Sequence, residues 1–144
     1  MALKVTTIID PQHEEEVVVY VHQESDIAKE IAKIVKGTTE LIGYTESAAV
    51  PLISHQVCCF VVQDGKVYAQ THEGVYMLKY RLYQLEDMLP CDFIKINQSC
   101  IANVRQIQRF DTSFSGTLRV IFKNGYADYV SRRQLKKVKE RLGL

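Results

Sequence analysis

The spacing of apolar residues changes period several times along this chain, and each change marks a predicted element. Two short β-branched runs come first, residues 4–9 (KVTTII) and 17–21 (VVVYV); each reads as a strand, with Asp10-Pro11 as a turn. Ile27, Ile31, Ile34 and Val35 then recur at i, i+4, i+7 and i+8, the stripe of an amphipathic helix. Ser25 is its predicted N-cap, Asp26 favours its first turn, and Gly37 ends it. From Tyr44 onward strand signals dominate. They cover 56–62 (QVCCFVV), 66–71 (KVYAQT) after the Asp64-Gly65 turn, and 75–79 (VYMLK) after a turn at 72–74. Leu82, Leu85 and Leu89 restore a helical period until Pro90 stops it. Residues 93–96 read as a strand, 97–99 as a polar turn and 104–110 as another strand. A last hairpin over 116–122 and 126–130 turns on Asn124-Gly125. The final helix is capped by Ser131, striped by Leu135, Val138 and Leu142, and closed by Gly143.

This pattern predicts an α+β protein, mainly antiparallel β. A small strand-strand-helix unit over residues 1–40 precedes a larger β-rich unit over 41–144. At 144 residues and 47% hydrophobic content the chain can bury a core without metals or disulfides. No apolar run approaches the roughly 18 residues of a membrane span, and no signal-peptide pattern opens the chain. A soluble, cytoplasmic protein is the expectation. Cys58, Cys59, Cys91 and Cys100 lack CxxC spacing and the four histidines are scattered, so free thiols and no metal site are expected.

Charge alters the picture. The net charge is +1, yet residues 1–92 carry 7 Lys/Arg against 14 Asp/Glu, whereas residues 93–144 carry 11 against 3. The halves are therefore −7 and +8, an asymmetry expected of a chain with one polyanion-facing half. Enzymatic motifs are absent. GTTELIGYT lacks the lysine of a phosphate loop, Phe114-Ser115-Gly116 lacks the first glycine of a nucleophile elbow, and Cys100 has no later histidine to act as base. Neither a cofactor nor a small-molecule substrate is expected. The basic half instead combines cations with hydrogen-bonding side chains. Lys95 precedes Asn97, Gln98 and Ser99, with Arg105 beyond, and Arg132 and Arg133 open a helix continued by Lys136 and Lys137. Amides and hydroxyls in a turn can read base edges while a neighbouring cation holds phosphate. Arginines at a helix start oppose the macrodipole, a cost reduced if an anion occupies that end. An RNA-binding module or a protein-interaction module using the same basic half are the alternatives. The RNA reading is weaker, because Phe110, Phe114, Phe122, Tyr126 and Tyr129 mostly alternate with polar residues as core positions do.

Three blocks carry a resemblance: 90–107 (PCDFIKINQSCIANVRQI), 114–125 (FSGTLRVIFKNG) and 129–143 (YVSRRQLKKVKERLG). In order and spacing they resemble the LytTR family of bacterial DNA-binding domains, and the whole chain is similar to stand-alone LytTR regulators without a receiver domain. The resemblance implies stacked antiparallel sheets that read promoter DNA with loops entering successive major grooves, commonly at paired direct repeats, and a homodimer at least on DNA. It implies base contacts from Arg133, Arg132, Asn97 and Gln98. Backbone contacts are implied for Lys95, Ser99, Lys66, Lys136, Lys137 and Arg105. It also implies a small membrane protein, encoded nearby, as a regulatory partner. Asn97-Gln98 stand where the family often has histidine, which shifts base preference towards adenine. The short first hairpin loop leaves Lys66 as its one strong contact.

Overall fold

The computed structural model describes residues 4–36, 39–112 and 116–144. It contains α1 (Asp26–Lys36), β1 (Glu40–Tyr44), β2 (Ala49–Ile53), β3 (Val57–Gln63), β4 (Lys66–Thr71) and β5 (Val75–Leu78). There follow α2 (Leu82–Met88), β6 (Phe93–Asn97), β7 (Cys100–Asn103), β8 (Ile107–Asp111), β9 (Leu118–Phe122), β10 (Ala127–Val130) and α3 (Arg132–Leu142). Seven strands form one antiparallel sheet in the order β2-β1-β5-β4-β3-β7-β6, and β10-β9-β8 form a second.

The large sheet is covered on both faces around β3 and β7. Cys59, Val61, Cys100 and Ala102 pack with Ile94 and Ile96 against Leu118, Val120 and Phe122 of the small sheet and Val138 of α3. On the other face Phe60, Ile101, Val67 and Leu78 pack against Leu85 and Leu89 at α2. A strand buried on both sides needs apolar residues at successive positions, which is why QVCCFVV does not alternate. Cys58, Cys59 and Cys100 are buried free thiols and Cys91 is half-buried and free.

Two expected strands are corrected. Residues 4–9 and 17–21 form no strand, although the Asp10-Pro11 turn does form, with the His13 amide donating to the Asp10 carbonyl at 3.2 Å. A strand exists through its partner's hydrogen bonds, and none is paired to either run among the described residues; Val5, Ile8, Ile9 and Tyr20 stand almost wholly exposed. Ser25 does cap α1, its hydroxyl accepting from the Ala28 amide at 3.3 Å. Gly37, read as the helix stop, lies outside the described residues, as do Phe114 and Ser115.

The strand expected over 104–110 divides. Residues 104–106 form a single 3-10 turn and β8 begins at Ile107, while the unpredicted β7 precedes it. Asn103 makes the corner. Its amide donates to the Val57 carbonyl at 2.9 Å and its Oδ1 accepts from the Arg105 amide at 3.1 Å. β1 and β2 were not resolved individually by the pattern; β2 carries Pro51, which an edge strand tolerates.

Candidate nucleic-acid interface

Strand direction decides which loops meet. β3 and β6 run towards the same end of the large sheet, and β7 returns between them. The β3–β4 turn is two residues, Asp64 at φ 52° and Gly65 at φ 74°, the left-handed pair that matches the twist of a tight hairpin. Beside it lies the β6–β7 turn. The Val62 amide donates to the Ser99 carbonyl at 2.9 Å, so the two tips are neighbours. The Ser131 amide donates to the Ile96 carbonyl at 2.9 Å, which fixes the start of α3 against the same tip. Lys66, Gln98, Ser99, Arg132 and Arg133 are all exposed there. Segments far apart in sequence are thereby brought to one end.

Asn97 occupies a different chemical position from Gln98. Its amide nitrogen donates to Asp128 Oδ1 at 3.0 Å and to the Tyr129 carbonyl at 2.8 Å, and its Oδ1 accepts from the Ser99 amide at 2.8 Å. Those bonds use both amide hydrogens and tie the β6 tip to β10, the strand that leads into α3. Gln98, one residue on, is free in the turn. Asp128 is the hub below: it also accepts from the Tyr129 amide at 2.8 Å and from the Tyr126 hydroxyl at 3.3 Å. Burial and the nearby Asp128 carboxylate push the Tyr126 phenol well above its ordinary range. The Cys100 thiol is raised by its hydrogen bond with Cys59 and by burial, and Cys58 by burial.

Of the expected backbone contacts, Lys136 lies with Arg132 and Lys139 on one side of α3. Lys95 is half-buried and lines a groove with Lys137 that runs down the flank to Pro90 and Cys91 at the start of β6, where Arg141 donates to the Cys91 carbonyl at 3.1 Å. Arg105 is elsewhere. β7 carries the chain about 13 Å from the tip, at about 3.3 Å per residue, and Arg105 Nε pairs with Asp92 at 3.0 Å beside the start of β6. Two cations not singled out from the sequence join the tip instead. Leu78 pairs with Val67, next to Lys66, so the exposed Lys79 and Arg81 that follow β5 emerge at this end. Lys79 Nζ sits 4.5 Å from the centre of the Tyr44 ring. Strand pairing, which periodicity does not reveal, was the missing signal.

Comparison with known proteins agrees with this architecture. Residues 49–143 match the model of the LytTr DNA-binding domain. HTH-type transcriptional regulators, themselves uncharacterized, from Staphylococcus aureus strains NCTC 8325 / PS 47 and MRSA252 are 36% identical over 104 residues, covering 72% of this chain and 71% of each relative. Among solved structures, the LytTr DNA-binding domain of a protein described as a methyl-accepting/DNA response regulator from Bacillus cereus superposes with a TM-score of 0.70. It is 27% identical, and the match covers 75% of this chain and all of that domain. A helix-turn-helix has no counterpart among the described residues, since five strands separate α1 from α2 and five separate α2 from α3. With the family model matched over residues 49–143 and relatives 36% identical over 104 residues, the chain belongs to the LytTr DNA-binding domain family.

Proposed function

We propose that this protein is a cytoplasmic transcription regulator that binds promoter duplex DNA sequence-specifically, inserting the tips of its strands and the start of α3 into the major groove. The observation that carries the proposal is the convergence of Lys66, Gln98, Ser99, Arg132 and Arg133 at one end of the large sheet. In this reading Arg133 and Gln98 read base edges, Arg through a bidentate fork to guanine and Gln to adenine. Arg132 assists, and Asn97 acts from beneath as the strut that aims them. Lys66, Lys95, Ser99, Lys136 and Lys137 hold phosphates; Arg105 takes part only if the duplex bends round to its end. Two copies on paired direct repeats would place successive tips in successive major grooves.

Competition decides between duplex and RNA. Phe122 is fully buried, Phe110 and Tyr126 are packed against the core, and only Tyr129 of the described aromatic candidates is exposed, so no stacking platform for single strands is present among them. Labelled promoter duplex bound by the protein is expected to be displaced by unlabelled duplex and not by single-stranded RNA of the same sequence. Displacement by RNA alone contradicts the proposal.

A further inference from the structure

The N-terminal arm carries strand-forming residues without a strand. Tyr20 is 93% exposed and Val17, Val18 and Val21 are each more than half exposed. Val17 and Val19 line an open groove with Ala28, Ile31, Ala32 and the exposed Val35 of α1, and Val18 and Tyr20 face a second groove shared with Ile8 and Ile9. Residues 17–21 with Val35 present most of the roughly 800 Å² that a standard-sized interface takes from each partner. Isolated exposed apolar residues need no explanation, but an unbroken run of five exposed apolar residues marks a contact. The large sheet does not supply one. Its β2 edge is blunted by Pro51 and its β6 edge abuts β10 and α3.

We propose that residues 17–21 pair antiparallel with the same residues of a second copy, about a two-fold axis at Val19, making a dimer in the absence of DNA. Such a pairing is self-complementary. Val17 faces Val21, Val18 faces Tyr20 and Val19 faces itself, so apolar meets apolar throughout. The flanks select the direction. Antiparallel pairing sets Glu16 opposite His22 and Glu15 opposite Gln23 and leaves like charge opposed only at Glu14 and Glu24, whereas parallel pairing would stack Glu14, Glu15, Glu16 and Glu24 each upon its own copy. The partner strand supplies the hydrogen bonds whose absence leaves this run irregular in the single chain. The α1 stripes then lie beside the new two-stranded ribbon and cover it. This deepens the proposed regulator, because it gives two DNA-reading ends a fixed connection before they meet a repeat.

The full-length chain, free of DNA, is examined by size-exclusion chromatography with light scattering at micromolar concentration, and its half-site duplex binding is measured separately. The unaltered protein is expected to be a dimer. Val19→Asp and Tyr20→Asp are expected to give monomers that retain the parent melting transition and still bind a single half-site at low salt. Glu16→Arg is expected to weaken the dimer and Glu16→Arg combined with His22→Glu to restore it. A monomeric parent, or a dimer indifferent to these substitutions, overturns the arm pairing. Half-site binding that is absent from parent and monomer alike overturns the DNA reading and leaves the arm pairing standing.

Discussion

At the β6 tip, adjacent amide side chains divide the labour of positioning and reading. Asn97 is committed to Asp128, the Tyr129 carbonyl and the Ser99 amide, while Gln98 is exposed in the turn. Gln98→Ala is therefore expected to lose discrimination at one base pair, about 1–3 kcal/mol, with the melting temperature unchanged. Asn97→Ala is expected to lower stability, because Asp128 and the Ser99 amide lose hydrogen bonds worth about 0.5–1.5 kcal/mol each, and to weaken binding to all duplexes alike. Thermal melts beside binding to a set of single-base variants separate the two behaviours. Arg133→Ala and Lys136→Ala form a similar pair. The first is expected to relax one base position for about 1–3 kcal/mol, and the second to reduce affinity uniformly and flatten the salt dependence. Both residue types at these positions were legible in the sequence. The commitment of Asn97 was not, because its partners lie on β10, some thirty residues later.

Residue-scale protonation has a sign that can be tested. Tyr126, Cys100 and Cys58 are all held neutral, their folded values lying above those of the unfolded chain. Their contribution is present in full below the unfolded values and is lost as pH rises above roughly 9, where exposed thiols and then phenols ionise. The urea midpoint is expected to hold from neutral pH to about pH 8.5 and to fall beyond it. Tyr126→Phe is expected to remove part of the fall; a midpoint that rises above pH 9 contradicts the assignment.

Elements with a sharp local signal formed where the sequence placed them. The Asp64-Gly65 and Asn124-Gly125 turns, the Pro90 stop and the Ser131 start of α3 each depend on a few adjacent residues. Elements defined by distant partners did not. β7 is buried at every position and carries no alternation, and residues 17–21 have the composition of a strand but no paired strand among the described residues. Gly43 illustrates the same dependence on tertiary contact. A Cβ there would lie 2.6 Å from Tyr76 Cβ and 2.6 Å from Leu52 Cδ1, so β1 can approach β5 only with glycine at this position. Leu52 can rotate aside, but Tyr76 Cβ is fixed to its backbone. Gly43→Ala is expected to cost about 1–3 kcal/mol through overpacking, read from the urea midpoint. A neutral outcome would mean that β1 shifts freely.

Over the whole molecule, the +8 half does not form a uniform basic surface. Arg105 pairs with Asp92, and Arg109 and Arg119 share Asp111, which takes these cations out of long-range attraction. Lys66, Lys79, Arg81, Arg132 and Arg133 gather at the reading end while Lys123 and Arg141 lie towards the other, so near-neutral net charge coexists with a locally basic face. That face is the central claim, and salt-dependent affinity for the promoter duplex tests it most directly. If each copy neutralises about five phosphates, a log–log plot of affinity against salt has a slope of about −4 to −5 per copy. A scrambled duplex keeps a similar slope at lower affinity, and Arg133→Ala narrows the difference between the two by about 1–3 kcal/mol. A slope near zero, or equal affinity of the unaltered protein for promoter and scrambled duplex, would contradict the account.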